Sequence, residues 1–529
     1  NFLRPFVPRR HIVDRRGTVL AVDRPVYRLF AHPKLFKESK QAIAEKIAPI
    51  LNRPVADLLK KFDERDSGVL LEYSLAESVV DRISSLQLDG LERLQYQQRL
   101  YPQQDLMASV VGYVNDDHKG QAGVELSQQN ALERSVKAVR LSRMGDGSLM
   151  PDQVPRGFLN LDDLQLKLTL DSRLQGVATA AMGQQLKAFG AKRGAVIVMD
   201  VRDGSLLTLA TSPSYDPNHY YKYPVELYKN WALTDLYEPG STFKPINVAI
   251  ALEAKTIKPD SVIDDEGQIT IDGWTIGNFD GSGKGPISIT DVLRYSSNVG
   301  MVRIAQTMKP DLYYDRLKRL GIGEVVHTDL PAAVAGQFKD RKTFTESTIE
   351  PATTSFGQGF SLTPIQLAQL HAAIANGGKL VQPHVVQGLF DSKGQTYWKA
   401  NIAPPRQVFS PATTQAVLPM MESVVADGTG KPAQIPGYRI GGKTGTAQKA
   451  NPNGGYYENA KITSFVSIFP IEAPRFVVVA VVDEPQGSDA FGATVAAPIV
   501  KTMMEALITT EKIPPNPAAP KPKLDSEEG

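Results

Sequence analysis

The sequence predicts an α+β fold, in which an antiparallel sheet of five strands carries helices on its faces. Apolar segments of strand length occur in two groups that lie far apart in the chain. The early group is Ala195–Asp200 and Ser205–Thr211, joined by a short polar turn, and the late group has three members: Tyr438–Ala447, Thr463–Phe469 and Phe476–Asp483. Mostly helical patterns separate the two groups, so the strands are expected to meet in one sheet.

The chain before this region mixes short helices and strands. Ala42–Arg65 has helical spacing of apolar residues, and Asp81–Leu100 is predicted as a second helix. Leu164–Leu170 alternates leucine with polar residues, which predicts a half-buried strand. Asp171 follows as the predicted N-cap of a helix that runs to about Phe189.

The helical patterns within the later region and the composition of the ends complete the organisation. Predicted helices are Lys244–Ala254, Ile289–Met308, Leu312–Leu320, Pro364–Asn376 and a closing helix Ala493–Ile508. We therefore divide the chain into an N-terminal domain at 1–155, a linker with the first helix of the catalytic region at 156–193, and a larger domain at 194–510. Residues 511–529 are rich in proline and are predicted to form a disordered tail.

Composition excludes several classes of function. The net charge of +2 gives no concentrated basic surface for nucleic acid, and the absence of cysteine removes disulfides and thiol catalysis. The seven histidines form no short-spaced ligand pair, so neither a metal site nor a cofactor is expected. We find no G-x-S-x-G, P-loop or dinucleotide fingerprint, while a Ser-His-Asp arrangement of residues distant in sequence stays open.

The N-terminus leaves two interpretations open. No apolar run has the length of about 18–20 residues that a membrane helix needs. The chain begins at Asn1, and its half-apolar first residues end in Arg9-Arg10, which suggests that a preceding segment is missing. Composition alone favours the alternative, a soluble protein whose initiator was trimmed.

The first candidate for chemistry is Ser241, in the segment Glu238–Pro245. Pro239-Gly240 predicts a turn directly before a helix, which places Ser241 at the helix N-terminus with Lys244 one turn later on the same face. A serine nucleophile needs a neighbouring base, and a lysine can serve when burial or a nearby cation lowers its pKa. Alone the pair is weak evidence, because a chain of this length contains roughly two such spacings by chance.

Two further elements strengthen this interpretation. Ser296 and Asn298 lie in a helical region, and Lys443-Thr444-Gly445-Thr446 begins or lies on a predicted strand. The order Ser-x-x-Lys, Ser-x-Asn, Lys-Thr-Gly is typical of serine acyl-transferases that react with β-lactams. Ser296 can relay a proton from Lys244 to a leaving amine, and Asn298 can bind a substrate amide. Lys443 favours a neutral Lys244 and attracts a carboxylate, and Gly445 leaves the strand bare for an extended peptide.

On these residues the sequence resembles the class B penicillin-binding proteins, which are monofunctional D,D-transpeptidases, over nearly its whole length. The N-terminal domain resembles the family's pedestal, or dimerisation-type, domain in Arg16–Ala21 and in Tyr101-Pro102 with Gly112, Gly120, Gly123 and Glu125. Leu168–Asp171, Gly357–Gly359 and Thr363–Gln366 resemble transpeptidase segments. Val482–Pro485, with Gly492 and Ala496–Pro498, resembles the division-specific septal members, and the elongation-specific members are the alternative.

The resemblance implies further site residues and partners. The oxyanion hole would use the backbone N–H groups of Ser241 and Thr446, and Thr444 and Thr446 would bind a carboxylate. It implies peptidoglycan stem peptides of a lipid-linked precursor polymer as substrate, β-lactam antibiotics as inhibitors, and a polytopic membrane glycosyltransferase and division proteins as partners. It implies a location at the cytoplasmic membrane with the catalytic domain on the periplasmic side, although the family's membrane anchor is absent from this chain.

Three other functions use the same motifs. A β-lactamase would turn penicillin over rapidly, and would be shorter and lack a pedestal. A D,D-carboxypeptidase would release D-Ala without an acceptor amine. A β-lactam sensor or inactive scaffold would bind without forming peptide bonds, but the three intact motifs disfavour it.

Overall fold

The protein is described by a computed structural model that covers residues 2–3, 7–134, 139–140, 161–451 and 453–519. In the first part of the chain the helices are α1 (Lys40–Leu51), α2 (Val55–Glu64), α3 (Glu77–Ser84), α4 (Ala108–Val111), α5 (Gly123–Ser127) and α6 (Gln129–Leu132). The strands are β1 (Phe2–Leu3), β2 (His11–Val13), β3 (Val19–Ala31), β4 (Val69–Leu75), β5 (Leu91–Leu100) and β6 (Val139–Arg140).

The second part of the chain holds more elements. Its strands are β7 (Gln165–Leu168), β8 (Arg193–Asp200), β9 (Leu206–Ser212), β10 (Val262–Asp265), β11 (Gln268–Ile271), β12 (Trp274–Gly277), β13 (Gly285–Ser288), β14 (Lys379–Leu380), β15 (Val386–Phe390), β16 (Thr396–Lys399), β17 (Arg406–Gln407), β18 (Gly441–Ala450), β19 (Tyr456–Phe469) and β20 (Phe476–Asp483). Its α-helices are α7 (Ser172–Ala188), α8 (Trp231–Thr234), α9 (Lys244–Glu253), α10 (Ile289–Arg294), α11 (Asn298–Gln306), α12 (Pro310–Arg319), α13 (Arg341–Glu346), α14 (Ile349–Ser355), α15 (Pro364–Ala375), α16 (Pro411–Asp427) and α17 (Ala497–Glu511).

The predicted sheet of the catalytic region is confirmed. Its order is β18-β19-β20-β8-β9, and every neighbouring pair is antiparallel. The central strand β20 is buried along its whole length, as expected for a strand covered on both faces. One face packs in a core with α7 and α17, and the other packs in a second core with α9, α15 and α16. The α+β fold class is therefore confirmed.

A second sheet connects the two parts of the chain. Strand β7 pairs in parallel with β2 of the N-terminal region and antiparallel with β15 of the later region. The hairpin between β2 and β3 reaches α7, where the Asp14 carboxylate accepts hydrogen bonds from the backbone N–H and the hydroxyl of Ser172. The linker predicted at 156–193 thus contributes a strand that is shared between both regions.

The prediction of one helix over Asp81–Leu100 is wrong. Helix α3 ends at Ser84, and Gly90, with φ +78°, turns the chain into strand β5. Strand β5 pairs with β3 over ten residues. The apolar residues of this segment are divided between a helix (Ile83), a turn (Leu86 and Leu88) and a strand (Leu91 and Leu94), because long-range pairing with β3 outweighs local propensity.

The start of the predicted C-terminal tail is part of the folded structure. Of the tail predicted at 511–529, Glu511 still belongs to α17, and the Tyr438 hydroxyl donates a hydrogen bond to the carbonyl of Ile513. Residues 520–529 lie outside the described part of the chain. Within the described ranges, no helix is both long enough and apolar enough to cross a membrane.

Candidate active site

Ser241 lies in a single 3-10 turn, Gly240–Phe243, that leads directly into α9. Gly240 has φ +56°, which favours glycine, and its N–H donates to the carbonyl of Gly357 at 2.9 Å. A Cβ on Gly357 would lie 2.0 Å from the Gly240 oxygen, so only glycine permits this approach. The turn that carries Ser241 is thereby fixed against the segment after α14.

Lys244 is the first residue of α9 and is fully buried. Its Nζ donates to the carbonyl of Ser296 at 2.7 Å, to Ser296 Oγ at 3.2 Å and to Asn298 Oδ1 at 2.7 Å. Burial and the nearby positive charge of Lys443 lower the pKa of Lys244 well below 10.5, although Asp265 acts in the opposite direction. A neutral amine in this position can accept a proton from a serine hydroxyl.

Ser296 lies between two lysines. Its Oγ accepts a hydrogen bond from Lys443 Nζ at 2.9 Å, in addition to the bond from Lys244. The predicted continuous helix Ile289–Met308 is wrong at this point: α10 ends at Arg294, and Ser296 has φ +57°. Ser297 then caps α11 by accepting from Gly300 N–H. The break turns the Ser296 hydroxyl towards both lysines.

Asn298 is held in place by residues that the sequence analysis missed. Its Nδ2 donates to the carbonyl of Gly277, and its Oδ1 accepts from Lys244 Nζ at 2.7 Å. Asn278 Oδ1 accepts from the backbone N–H of Asn298, and Asn278 itself donates to the buried carboxylate of Asp265. These contacts join positions distant in sequence, so no local pattern could have revealed them.

Strand β18 brings the Lys443–Thr446 segment beside the turn of Ser241. Lys443 is fully buried, its pKa is lowered to about 7 by burial, and its Nζ also donates to the Thr444 carbonyl. The hydroxyls of Thr444 and Thr429 are 3.0 Å apart. Thr446 Oγ1 accepts the N–H of Gly492 at 3.0 Å, at the start of a π-helical turn Gly492–Ala496.

Packing requires a glycine at position 445. A Cβ on Gly445 would lie 2.5 Å from Ser464 Oγ and 2.9 Å from Thr242 Cγ2, both in the protein interior. The missing side chain therefore allows the Ser241 turn to pack on β18. The expectation that the bare strand lets an extended peptide lie against it stays a prediction beside this packing role.

These groups surround a cavity of about 430 Å³. Ser241, Ser296, Asn298, Thr444 and Thr446 all line it. Two aromatic rings, Phe279 and Phe491, also line the cavity and stand edge to face at 5.3 Å. The remaining lining residues are Gly240, Tyr295, Phe356, Gln358, Thr429, Gly492 and Ala493.

Ser241 and Ser296 line the cavity together with threonine hydroxyls, and behind Ser296 the buried Lys244, whose pKa is lowered, is linked through the Ser296 hydroxyl to Lys443. Such a set can form and transfer an acyl group. In the part of the chain that the structure describes, no group of three or more His, Asp and Glu side chains could hold a metal ion.

Comparisons with known proteins agree with this arrangement. Residues 194–505 match the penicillin-binding protein transpeptidase domain, and residues 6–143 match the penicillin-binding protein dimerisation domain. A peptidoglycan D,D-transpeptidase FtsI homolog of Mesostigma viride is 44% identical over 97% of this chain and 90% of its own. Peptidoglycan D,D-transpeptidase FtsI of Escherichia coli is 31% identical over 96% of this chain and 84% of its own.

Solved structures give the same result. Penicillin-binding protein 3 of Mycobacterium tuberculosis, complexed with ampicillin, has a TM-score of 0.73 and 25% identity over 98% of both chains. The fold and the cavity define a penicillin-binding protein with a dimerisation and a transpeptidase domain. The chain belongs to the class B penicillin-binding proteins and is a serine-type peptidoglycan D,D-transpeptidase.

Proposed function

We propose that Ser241 is the nucleophile of this transpeptidase and that Lys244 is its general base. Neutral Lys244 accepts the proton of Ser241 Oγ, which attacks the carbonyl carbon of the penultimate D-Ala of a donor stem peptide. The new bond joins Oγ to that carbon. Backbone N–H groups of Ser241, in the turn that leads into α9, and of Thr446, on β18, stabilise the oxyanion by donating hydrogen bonds to it.

The second half of the reaction returns the proton. The C–N bond to the terminal D-Ala breaks, and the leaving amine receives its proton from Lys244 through Ser296. The amine of an acceptor stem peptide then attacks the acyl carbon, the bond to Ser241 Oγ breaks, and Oγ regains a proton. Asn298, Thr444 and Thr446 hold the donor, and Lys443 attracts its terminal carboxylate.

The observation that carries this proposal is the pair of hydrogen bonds that Ser296 Oγ accepts. Lys244 and Lys443 both reach this oxygen, at 3.2 Å and 2.9 Å, and both are buried. Burial and the charge of Lys443 lower the pKa of Lys244 and outweigh the opposing effect of Asp265. Lys244, one turn from Ser241, is thus held in the neutral form that a general base requires.

We propose further that the chain acts at the division septum and is acylated by β-lactams. The septal assignment rests on Val482–Pro485 and on the FtsI homologs among its relatives. The alternative is the elongation-specific role. We also propose that the domain at 1–155 is the pedestal and that the domain at 194–510 is the catalytic unit. In this proposal the domain at 194–510 faces the periplasmic side of the cytoplasmic membrane, with a polytopic glycosyltransferase and division proteins as partners.

The reaction is tested with a thioester analogue of the donor peptide, whose thiol release is followed by absorbance. We expect the protein to release thiol and to form an amide product when an amine acceptor is added. Ser241→Ala should reduce both by at least a thousandfold, since no acyl-enzyme can form. Ser85→Ala, at an exposed serine of the N-terminal region, is the matched control and should retain the rate. Thiol release by Ser241→Ala at the unaltered rate would refute the assignment.

A further inference from the structure

A groove larger than the catalytic cavity lies directly beside it. Its volume is about 1010 Å³. The two spaces share a wall: Gln358 lines the cavity and Gly359 lines the groove, and on β18 Thr446 lines the cavity and Gln448 lines the groove. A ligand in the groove is therefore next to whatever is attached to Ser241.

Glu238 connects this groove to the nucleophile. It precedes Ser241 by three residues and lines the groove. One carboxylate oxygen accepts the N–H of Gly359 at 3.0 Å, and the other accepts the hydroxyl of Tyr456 at 2.9 Å. Gly357, two residues before Gly359, accepts from Gly240. The position of the Glu238 carboxylate is thus fixed relative to the turn that carries Ser241.

The groove is lined by two carboxylates and three cations, and among these described residues only Glu238 has no ion-pair partner. Glu350 faces the same space, and its nearest cation is Lys339 at 3.8 Å. Burial, and to a smaller extent the charge of Glu350, raise the pKa of Glu238 above its ordinary value. The other cations that line the groove are already paired, since Arg193 binds Asp235 and Asp483 and Lys449 binds Asp483 and Glu484.

An unsatisfied hydroxyl lies at the same place. Tyr237 is only 6% exposed and lines the groove, and within the described residues its hydroxyl has no hydrogen-bond partner. Buried hydroxyls normally have a partner, so this group is an unusual polar feature of the groove wall. Tyr237 precedes Glu238 by one residue, and its hydroxyl is a polar group in addition to the two carboxylates.

We propose that this groove binds the acceptor stem peptide, with Glu238 and Glu350 holding the ammonium group of its side chain near the acyl-enzyme. The inference rests on the proposed function and names the second substrate's site. The ammonium loses one proton to water and attacks as an amine. Its nitrogen bonds to the acyl carbon, the carbon–Oγ bond of Ser241 breaks, and the amine's next proton passes to Oγ through Lys244.

The test measures how the acyl-enzyme divides between water and an acceptor. The thioester donor is mixed with increasing concentrations of a synthetic stem tetrapeptide that has a free side-chain amine, and mass spectrometry counts hydrolysed and cross-linked product. For Glu238→Gln and Glu350→Gln we expect the half-saturating acceptor concentration to rise about tenfold, which is about 1.4 kcal/mol of acceptor binding. The ratio of cross-linked to hydrolysed product is determined after acylation, so a change in the acylation rate does not alter this ratio.

The matched control is Glu472→Gln, at an exposed glutamate outside the groove, which should keep the half-saturating concentration of the unaltered protein. Tyr456→Phe removes only the hydroxyl that donates to Glu238, and we expect a smaller rise in the same direction. An acyl-enzyme that forms in both glutamate variants with unchanged half-saturation would overturn the groove's role alone. Failure of the unaltered protein to form any acyl-enzyme would overturn the proposed function and this inference together.

Discussion

At the scale of single residues, the site depends on keeping one lysine neutral. Lys244 and Lys443 are both fully buried, and both have pKa values below the ordinary 10.5. The main cause is burial, which disfavours the charged form of an amine. The Ser241–Lys244 spacing could be predicted from sequence, because both residues lie within one helical turn. The link from Asp265 through Asn278 to Asn298 could not, because it joins three separate elements.

The charge balance at Lys244 predicts opposite effects of two substitutions. Acylation needs neutral Lys244, so its rate rises with pH through the pKa of this group. Lys443→Met removes a nearby positive charge, which raises the pKa of Lys244 and should move the acid limb of the acylation profile up by about one pH unit. Asp265→Asn removes a negative charge and should move the limb to lower pH.

The measurement is the rate of labelling by a fluorescent penicillin between pH 5 and pH 10, and the sign of the shift is the test. If the acid limb of the pH–rate profile moved in the same direction in both variants, the charge balance described for Lys244 would be wrong. If the limb stayed in place in both variants, another group would be the general base.

At the scale of elements, the packing of the Ser241 turn on β18 depends on Gly445. The motif identified this glycine, but its packing role could not be predicted from sequence, because the direction in which a side chain would point depends on strand register. A methyl group there would meet Ser464 and Thr242 closer than real Cβ atoms approach. The prediction of a helix over Asp81–Leu100 is wrong for a related reason, because β5 pairs with β3, which is distant in sequence.

Gly445→Ala should therefore displace the turn from the strand. We expect acylation by penicillin to fall at least tenfold and the protein to lose about 1–3 kcal/mol of stability, as for other overpacked interiors. Gly183→Ala, in α7, meets no atom within 4 Å and should instead raise stability by about 0.5–1 kcal/mol. Urea unfolding gives both values, and equal effects of the two substitutions would contradict the packing argument.

At the scale of the whole molecule, the two regions share a sheet, and a set of buried charges in the N-terminal region lies beside a contact between them. Glu125, fully buried, accepts hydrogen bonds from Arg9 and Arg99, and Arg99 also pairs with Asp23. Tyr101, beside this network, exchanges backbone hydrogen bonds with the side chain of Asn218 in the catalytic region. Loss of order in the N-terminal region should therefore be transmitted to the site.

Glu125→Gln leaves two buried arginines without their shared carboxylate, which typically costs about 3–5 kcal/mol. Because β7 pairs with strands of both regions, we expect the temperature at which penicillin binding is lost to fall together with the midpoint seen by circular dichroism. Glu38→Gln, which breaks only an exposed pair with Lys46, is the control and should change either midpoint little. If Glu125→Gln lost penicillin binding at the same temperature as the unaltered protein, the two regions would unfold independently.

The central claim is that Ser241 forms the acyl-enzyme. The most direct measurement is the intact mass of the protein after incubation with benzylpenicillin, followed by peptide mapping of the adduct. We predict a single stable addition of one penicillin, located on the peptide that contains Ser241 and absent from Ser241→Ala. An adduct that maps to another residue, or that persists in Ser241→Ala, would contradict the account.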